Sequence, residues 1–587
     1  MDMINVKING VAYAVEKGAT VLEAAKAAHI DIPTLCYLKD INEIGACRLC
    51  LVEVAEMRGP ALGPWRMVTA CVYPCTEGME IKTNTPKIAA FRKMNLELLL
   101  SNHNQDCLSC VRSTNCELQT LCREYGVNSS SFVGEVTKHE IDDASPIIRD
   151  NSKCVLCRRC VATCARIQEI GVIGAKNRGF DTSIGSAFAA RLADTSCINC
   201  GQCIVACPVG ALYERDDTDK VLEAIADPSK HTVICTAPSV RAQIGECFGY
   251  EPGTDCEGKM VAALKALGFD GVYDMNLTAD LTIVEEANEL IGRIQNNGAL
   301  PMITSCSPGW IKYCEHYFPE FVDNLSTCKS PQQMFGAIVK TYYAQKMGWD
   351  PKDIVMVSAI PCTAKKFEVG RDGQAAAGVP DVDFAITTRE VGRMIQKAGI
   401  NFRALDDAKF DDPFAIGSGA GAIFGATGGV MEAALRYAAE KILGKKLEKV
   451  DFTEVRGTEG IKTASYKLGD LTVNVAVASS TGMAKKLLNM VKNGELDVQF
   501  IEIMGCPGGC VNGGGQPIQP AKVRMNMDLR AVRAAVLYKD DAEETLRTSQ
   551  DNLAVQVLYD EFLGAPNSHK AHEILHTTYV KRGLYNN

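Results

Sequence analysis

Several things are missing from this chain, and each absence removes a class of function. No apolar run approaches the ~20 residues that a membrane-crossing helix needs. Positive charge is not in excess: 62 Lys and Arg stand against 71 Asp and Glu, and the net charge of −9 argues against nucleic acid as the main partner. The opening Met1-Asp2-Met3-Ile4-Asn5-Val6-Lys7 lacks a charged stretch followed by an apolar core, so it does not read as a secretory signal and a cytoplasmic location is the default. No G-x-G-x-x-G follows a strand in the right context, so flavin or nicotinamide chemistry would have to come from other chains. No solenoid period is present either.

Cysteine, by contrast, is abundant. The 587 residues hold 26 cysteines, 17 of them before residue 210 and mostly in tight clusters. Scattered buried thiols would not bunch this way, and without an export signal metal binding is a better reading than disulfides. The length predicts several domains, and a hydrophobic content of 47% supports large cores.

The texture changes along the chain. Ile4 to Val15 alternates around Asn9-Gly10 as a hairpin, and Thr20 to Ala28 reads as a short helix with Thr20 as cap and Glu23 three residues on. Hairpin, helix and cysteine loop together predict a small β-grasp domain over residues 1–80. Residues 85–125 look helical within a second region, 81–140. A ferredoxin-like α+β domain is expected over 141–216. From 217 to 587 longer strand and helix patterns alternate as in an α/β domain, with strands at Thr232–Thr236, Ile354–Ala359 and Val498–Met504 and helices at Val261–Leu267 and Thr282–Ile294.

The cysteine spacings carry the chemistry. Cys154, Cys157, Cys160 and Cys164 form one C-x2-C-x2-C-x3-C run, and Cys197, Cys200, Cys203 and Cys207, with Pro208 behind, form another. In two-cluster ferredoxins the fourth cysteine crosses over. One [4Fe–4S] cluster is therefore assigned to Cys154, Cys157, Cys160 and Cys207, and the other to Cys197, Cys200, Cys203 and Cys164. Cys36, Cys47, Cys50 and Cys71 are spaced C-x10-C-x2-C-x20-C, which resembles a plant-type [2Fe–2S] loop without its C-x4-C spacing, and Cys75 competes as fourth ligand. His103, Cys107, Cys110 and Cys116 offer one imidazole and three thiolates. Alone they would also suit zinc; beside the other clusters they predict a third [4Fe–4S] site, less negative for its histidine.

The segment Glu502-Ile503-Met504-Gly505-Cys506-Pro507-Gly508-Gly509-Cys510-Val511-Asn512-Gly513-Gly514-Gly515-Gln516-Pro517 is too rich in glycine for a helix interior. It suits a loop wrapped closely around an inorganic group. Together with Thr304-Ser305-Cys306-Ser307-Pro308-Gly309-Trp310 and Pro361-Cys362-Thr363-Ala364-Lys365-Lys366-Phe367-Glu368, it resembles the three signatures of the [FeFe]-hydrogenases. The cysteine-rich front resembles the accessory clusters of that family's larger members.

That resemblance implies an H-cluster, a cubane joined to a di-iron unit with CO, cyanide and a dithiolate amine, and an anaerobic enzyme that oxidises hydrogen or reduces protons. It places Cys362, Cys506 and Cys510 on the cubane, with Cys510 bridging, and Lys365 on a cyanide. Ala237, Pro238, Ser239, Gln332, Met504 and Phe424 would line the di-iron pocket. Glu286, Ser326 and Glu289 would carry protons between solvent and Cys306; Glu286, Glu289 and Arg293 share a helix face at i, i+3, i+7, which by charge alone would read as a solvated face. Two departures stand out. The family commonly has two adjacent cysteines where Cys306-Ser307 stands, so either Ser307 takes the ligand position and Cys306 the relay, or Cys306 ligates and Ser307 relays. Ile360 stands where a methionine is common.

Implied partners are hydrogen and protons, ferredoxin or flavin- and NAD(P)-binding subunits, and H-cluster maturation proteins. The alternative is a sensory or electron-transfer subunit of a larger electron-bifurcating complex. Seven cysteines, Cys75, Cys122, Cys235, Cys247, Cys256, Cys314 and Cys328, read as core packing, with Cys328 two residues beyond Ser326. His572-Glu573-Ile574-Leu575-His576 formally spells a zinc-protease motif, but a partly solvated terminal helix is the expected reading.

Overall fold

A computed structural model describes residues 2–136, 140–414, 416–469 and 471–584. The front of the chain is a five-stranded sheet in the order Val11–Glu16, Met3–Ile8, Glu80–Lys82, Leu51–Ala55, Arg66–Thr69. Its first hairpin turns at Asn9 and Gly10, both with positive φ, as the Asn-Gly pair predicts. The helix Val21–Ala27 starts on a complete capping box between Thr20 and Glu23, which satisfies two otherwise orphaned backbone N–H groups. Residues 85–125 are not continuously helical. Helix Pro86–Ser101 and helix Glu117–Glu124 are separated by an irregular stretch, because His103, Cys107, Cys110 and Cys116 sit on turns rather than on a helix face.

Both C-x2-C-x2-C-x3-C runs begin in loops with left-handed residues. Leu156, Arg158, Asn199 and Gly201 all have positive φ, which turns successive cysteines inward. The antiparallel pair Ile147–Arg149 and Leu212–Glu214 closes this region.

The large remainder is built on two four-stranded sheets. The first, in the order Gly271–Asp274, His231–Thr236, Ile354–Ile360, Phe384–Thr387, is entirely parallel. Its strands are buried almost throughout, which is why they read as continuous apolar runs instead of alternating ones. In the second, Met302–Ile303 and Leu471–Ser479 flank Phe500–Met504 in parallel, and Ile461–Leu468 adds an antiparallel edge. Among the described residues no helix is long and apolar enough to cross a membrane.

Helix Asn276–Gln295 is longer than expected and is no solvated face. Thirteen of its residues are buried, among them Asp280, Glu285 and Glu286. Charge pattern misleads here because the acidic residues face partners from distant parts of the chain instead of water.

Candidate functional site

Open α/β sheets bind ligands beyond the carboxyl ends of their parallel strands. Four strand ends from the two sheets meet here around one cavity. His231–Thr236 runs into Ala237, Pro238 and Ser239; Ile354–Ile360 into Cys362; Met302–Ile303 towards Cys306 and Ser307; and Phe500–Met504 into Cys506 and Cys510. Gln332, Lys365, Phe424, Met504 and Ile360 complete the wall. Residues spread over more than 270 positions of sequence thus face one space.

The lining carries polar atoms without partners. Ser239 Oγ and Gln332 Oε1 are buried with no hydrogen-bond partner, an arrangement that costs free energy unless something occupies the cavity. Burial pushes the Cys510 thiol up to about 12, and Cys306 and Cys506 also rise well above the usual thiol range for the same reason. Such thiols stay protonated unless a cation binds them. Lys365 Nζ donates to Cys306 O at 3.1 Å and to Glu368 Oε2 at 2.9 Å. Glu368 Oε2 also accepts from Ser330 Oγ and Gln332 Nε2, at 2.9 and 3.0 Å. Glu502 accepts from the Gly428 and Met431 amides at 2.6 and 2.7 Å and so ties the cysteine loop to the start of helix Gly429–Leu443. Neither carboxylate was singled out from sequence, although both lie inside the quoted signatures.

Cys306 and Ser307 point to different surroundings. Behind burial, the groups that raise the Cys306 thiol are Glu286 first and Cys510 second. Ser307 Oγ accepts from the Gly505 amide at 3.2 Å, next to Cys506.

On the other side of Cys306 lies a chain of acids. Burial, then the charge of Glu289, pushes Glu286 up to about 8 against the opposing pull of the nearby Ser326 hydroxyl and Ser305 amide, neither of which reaches hydrogen-bond geometry with its oxygens. Ser326 Oγ donates to Glu289 Oε2 at 2.8 Å, and Arg293 donates to Glu289 Oε1 at 2.6 Å. Cys328 lies beside them, with Sγ 3.8 Å from Glu289 Oε2.

Three sets of accessory cysteines come together. Cys154, Cys157, Cys160 and Cys207 line one small cavity. Cys164 clusters with Cys197, Cys200 and Cys203, whose charges act on one another. Cys47 N donates to Cys36 Sγ at 3.5 Å, and Cys50 Sγ lies 3.3 Å from Cys71 Sγ. The chief influences on Cys75 are burial and Glu23, not those thiols. His103 is buried with Nδ1 unpartnered, and burial followed by the nearby Lys153 charge brings it down to about 4, so its imidazole is neutral and free to ligate. Cys110 Sγ lies against Gly210, where a Cβ would come within 2.5 Å of it.

Main-chain contacts join these groups. Asn42 Nδ2 donates to both Cys36 O and Cys157 O, at 2.8 and 3.0 Å. Arg112 donates to Cys207 O at 3.0 Å. Thr363 Oγ1 donates to Asn199 O at 2.7 Å, and a Cβ on Gly514 would lie 2.2 Å from Cys200 O. The glycine run therefore does more than approach an inorganic group: Gly513 abuts Pro361 O, Gly514 abuts Cys200 O and Gly515 abuts Thr387, so its missing side chains let protein backbones touch.

Known proteins resemble this chain along its whole length. Residues 230–514 match the family model "Iron only hydrogenase large subunit, C-terminal domain" and residues 527–582 match "Iron hydrogenase small subunit". Residues 1–86 match a 2Fe-2S iron-sulfur cluster binding domain, 92–131 the iron-sulfur binding region of NADH-ubiquinone oxidoreductase-G, and 194–213 a 4Fe-4S binding domain. The NADP-reducing hydrogenase subunit HndD of Solidesulfovibrio fructosivorans is 46% identical, over 99% of this chain and 100% of that protein. Iron hydrogenase 1 of Clostridium pasteurianum is 43% identical, again over 99% and 100%. A solved structure of a variant of [FeFe]-hydrogenase HydA1 from Chlamydomonas reinhardtii aligns with a TM-score of 0.56 at 40% identity, covering 63% of this chain and 100% of that one. With three hydrogenase signatures on one cavity and relatives that match from end to end, the chain belongs to the iron-only, or [FeFe]-, hydrogenase family and is a hydrogenase with iron–sulfur domains at its front.

Proposed function

We propose that the chain interconverts hydrogen with protons and electrons at an H-cluster held in the cavity at the four strand ends, fed by one [2Fe–2S] and three accessory [4Fe–4S] clusters. The observation that carries this reading is the convergence of four strand ends on Cys306, Ser307, Cys362, Lys365, Cys506 and Cys510. When bound, the group supplies the centre where electrons and protons combine. Cys362, Cys506 and Cys510 would hold its cubane. The Gly505 contact of Ser307 and the charge of Glu286 acting on Cys306 support Ser307 in the fourth ligand position and Cys306 as the proton carrier. An alkoxide is a harder, less acidic ligand than a thiolate. Lys365 brings a cation, already balanced by Glu368, to the anionic ligands of the group.

Protons would pass between Cys306 and Glu286, then through Ser326 to Glu289. A carboxylic acid pushed up to about 8 remains protonated at neutral pH and can donate. Electrons would enter a branched wire. The β-grasp [2Fe–2S] site and the His103 site both abut the Cys154 group through Asn42 and Arg112, and the ferredoxin-like Cys200 loop abuts the catalytic loop. Twenty-six cysteines without a disulfide suit a cytoplasmic setting.

Infrared spectroscopy of protein matured with its iron groups tests this. Bands of metal-bound CO and cyanide, together with hydrogen evolution from reduced viologen, are expected; material that binds mainly zinc and shows no such bands overturns the reading. A second reading, catalytic subunit of an NAD(P)-linked complex, is favoured by the full-length likeness to an NADP-reducing hydrogenase subunit. Flavin- or NAD(P)-binding partners, or ferredoxin, would then supply the electrons, and co-purification with a flavoprotein would be its mark.

A further inference from the structure

Arg293 makes a poor exit for protons. Its guanidinium holds Glu289 and also donates to the carbonyls of Ala299, Asp323, Asn324 and Leu325, at 3.2, 3.4, 3.2 and 2.7 Å. An arginine in a protein does not give up its proton, and one fixed by five acceptors is a clamp. A different set of groups borders Glu289 on its other side. Glu289, Cys328 and His576 bring a carboxylate oxygen, a thiol and a ring nitrogen within 4.8 Å of one another.

The fold fixes His576 there. Helix His569–Leu575 ends at His576, which pairs with Cys328 in an antiparallel bridge. Lys329 N donates to Leu575 O and Thr577 N to Thr327 O, both at 2.8 Å. His576 Nε2 lies 3.1 Å from Glu285 Oε2 and Nδ1 lies 2.8 Å from Thr327 Oγ1. The threonine hydroxyl can donate to the neutral ring or accept from the protonated one, so His576 changes charge without losing a hydrogen bond. One turn back, His572 is exposed and its ring centroid is 4.0 Å from that of His576. The buried ring thus touches one that meets water.

We propose that His576 and His572 form a proton outlet that leaves the relay at Glu289 and reaches solvent along the terminal helix. A proton taken up by His572 moves to His576, crosses the short gap beside Cys328 to the Glu289 carboxylate and so joins Ser326 and Glu286; the reverse order serves hydrogen oxidation. The charged and titratable groups that face His576 are Glu285 and Glu289 of the relay helix, Cys328 of the bridging strand, His572 of its own helix, and Tyr559, whose hydroxyl donates to Glu285 Oε1 at 2.5 Å. Glu285 steadies the protonated ring, and histidine is the side chain suited to exchanging protons near neutrality. The i, i+4 spacing in His572-Glu573-Ile574-Leu575-His576 then sets a surface ring, tilted, against a buried one instead of gathering a metal.

The proposal rests on the relay reading, and three variants of the matured enzyme separate the two. Glu289→Gln tests the relay itself. Full activity there overturns both. His572→Ala, at an exposed position, and His576→Gln, which keeps hydrogen-bonding atoms for Glu285 and Thr327, test the outlet. Each should slow hydrogen evolution by about three- to ten-fold with infrared bands and iron content unchanged. That is far less than the ~10²–10⁴ of losing a general acid, because Glu289 retains a partly exposed edge. The loss should change shape with pH, and added imidazole should restore His572→Ala. An inactive Glu289→Gln beside histidine variants of wild-type rate and pH profile, or a His572→Ala loss that imidazole leaves untouched, overturns the outlet alone.

Discussion

The two approaches to the cavity are made of different material. On the electron side the contacts end on backbone carbonyls: Gly514 lies against Cys200 O, and the Thr363 hydroxyl reaches Asn199 O. On the proton side, side chain meets side chain: Ser326 donates to Glu289, His576 to Glu285, and Arg293 clamps the end. Electrons cross protein matter without needing each atom to change its bonding, so proximity suffices. Protons need a titratable or hydroxyl group at every hydrogen-bond step. One side is specified by how closely the chain can approach itself, the other by the identity of each residue.

The contrast can be broken most severely at the cavity itself, where both sides meet. Cys362→Ala should abolish activity and the CO and cyanide bands, while paramagnetic resonance of the accessory clusters persists. Next, Glu286→Gln should lower hydrogen evolution by about 10²–10⁴ with infrared bands and iron content intact, since it removes a proton donor and no iron ligand. On the electron side, Gly514→Ala sets a Cβ 2.2 Å from Cys200 O. It should cost about 1–3 kcal/mol of stability by overpacking, read as a lower melting temperature, and slow reduction of the accessory clusters by hydrogen. If it slows proton-limited turnover instead, the division of labour is wrong.

The smallest effect concerns pH. Burial holds Glu286 up to about 8, above the ordinary carboxylate value of 4.5. Its neutral form is favoured in the folded state, so this contribution to stability is full below the ordinary value and disappears as pH rises through about 8. The wild-type melting temperature should therefore fall more steeply between about pH 4.5 and about 8 than that of Glu286→Gln, which has no proton to lose. Parallel curves would mean that Glu286 is already ionised at neutral pH.

How much of this was readable from the residues depends on sequence distance. The cysteine runs are local, and short loops can bring their ligands together, so Cys154 to Cys164 and Cys197 to Cys207 announce themselves. The cavity lining was reached through three signatures that sit at strand ends. The glycines of 513–515 were read only as making room for an inorganic group, because a composition cannot say that Pro361, Cys200 and Thr387 are what approaches. Charge pattern made Glu286 and Glu289 look solvated. Their actual surroundings come from residues such as Ser326 and His576, and the Glu285–His576 contact spans 291 positions. Neighbouring residues gave no hint of which of Cys306 and Ser307 would feel Glu286; the structure sets the charge of Glu286 against the Cys306 thiol.

The terminal helix has a consequence for truncation. The last cysteine is Cys510, whereas Tyr559, the Asn567 amide and His576, which surround Glu285, all come later. A fragment cut after Pro517 would keep every proposed iron ligand and lose the imidazole and phenol that flank Glu285. Loading with metal and managing acid are thus written on separable stretches of this polypeptide, and a shortened version could look complete to an iron assay while being badly supplied with protons.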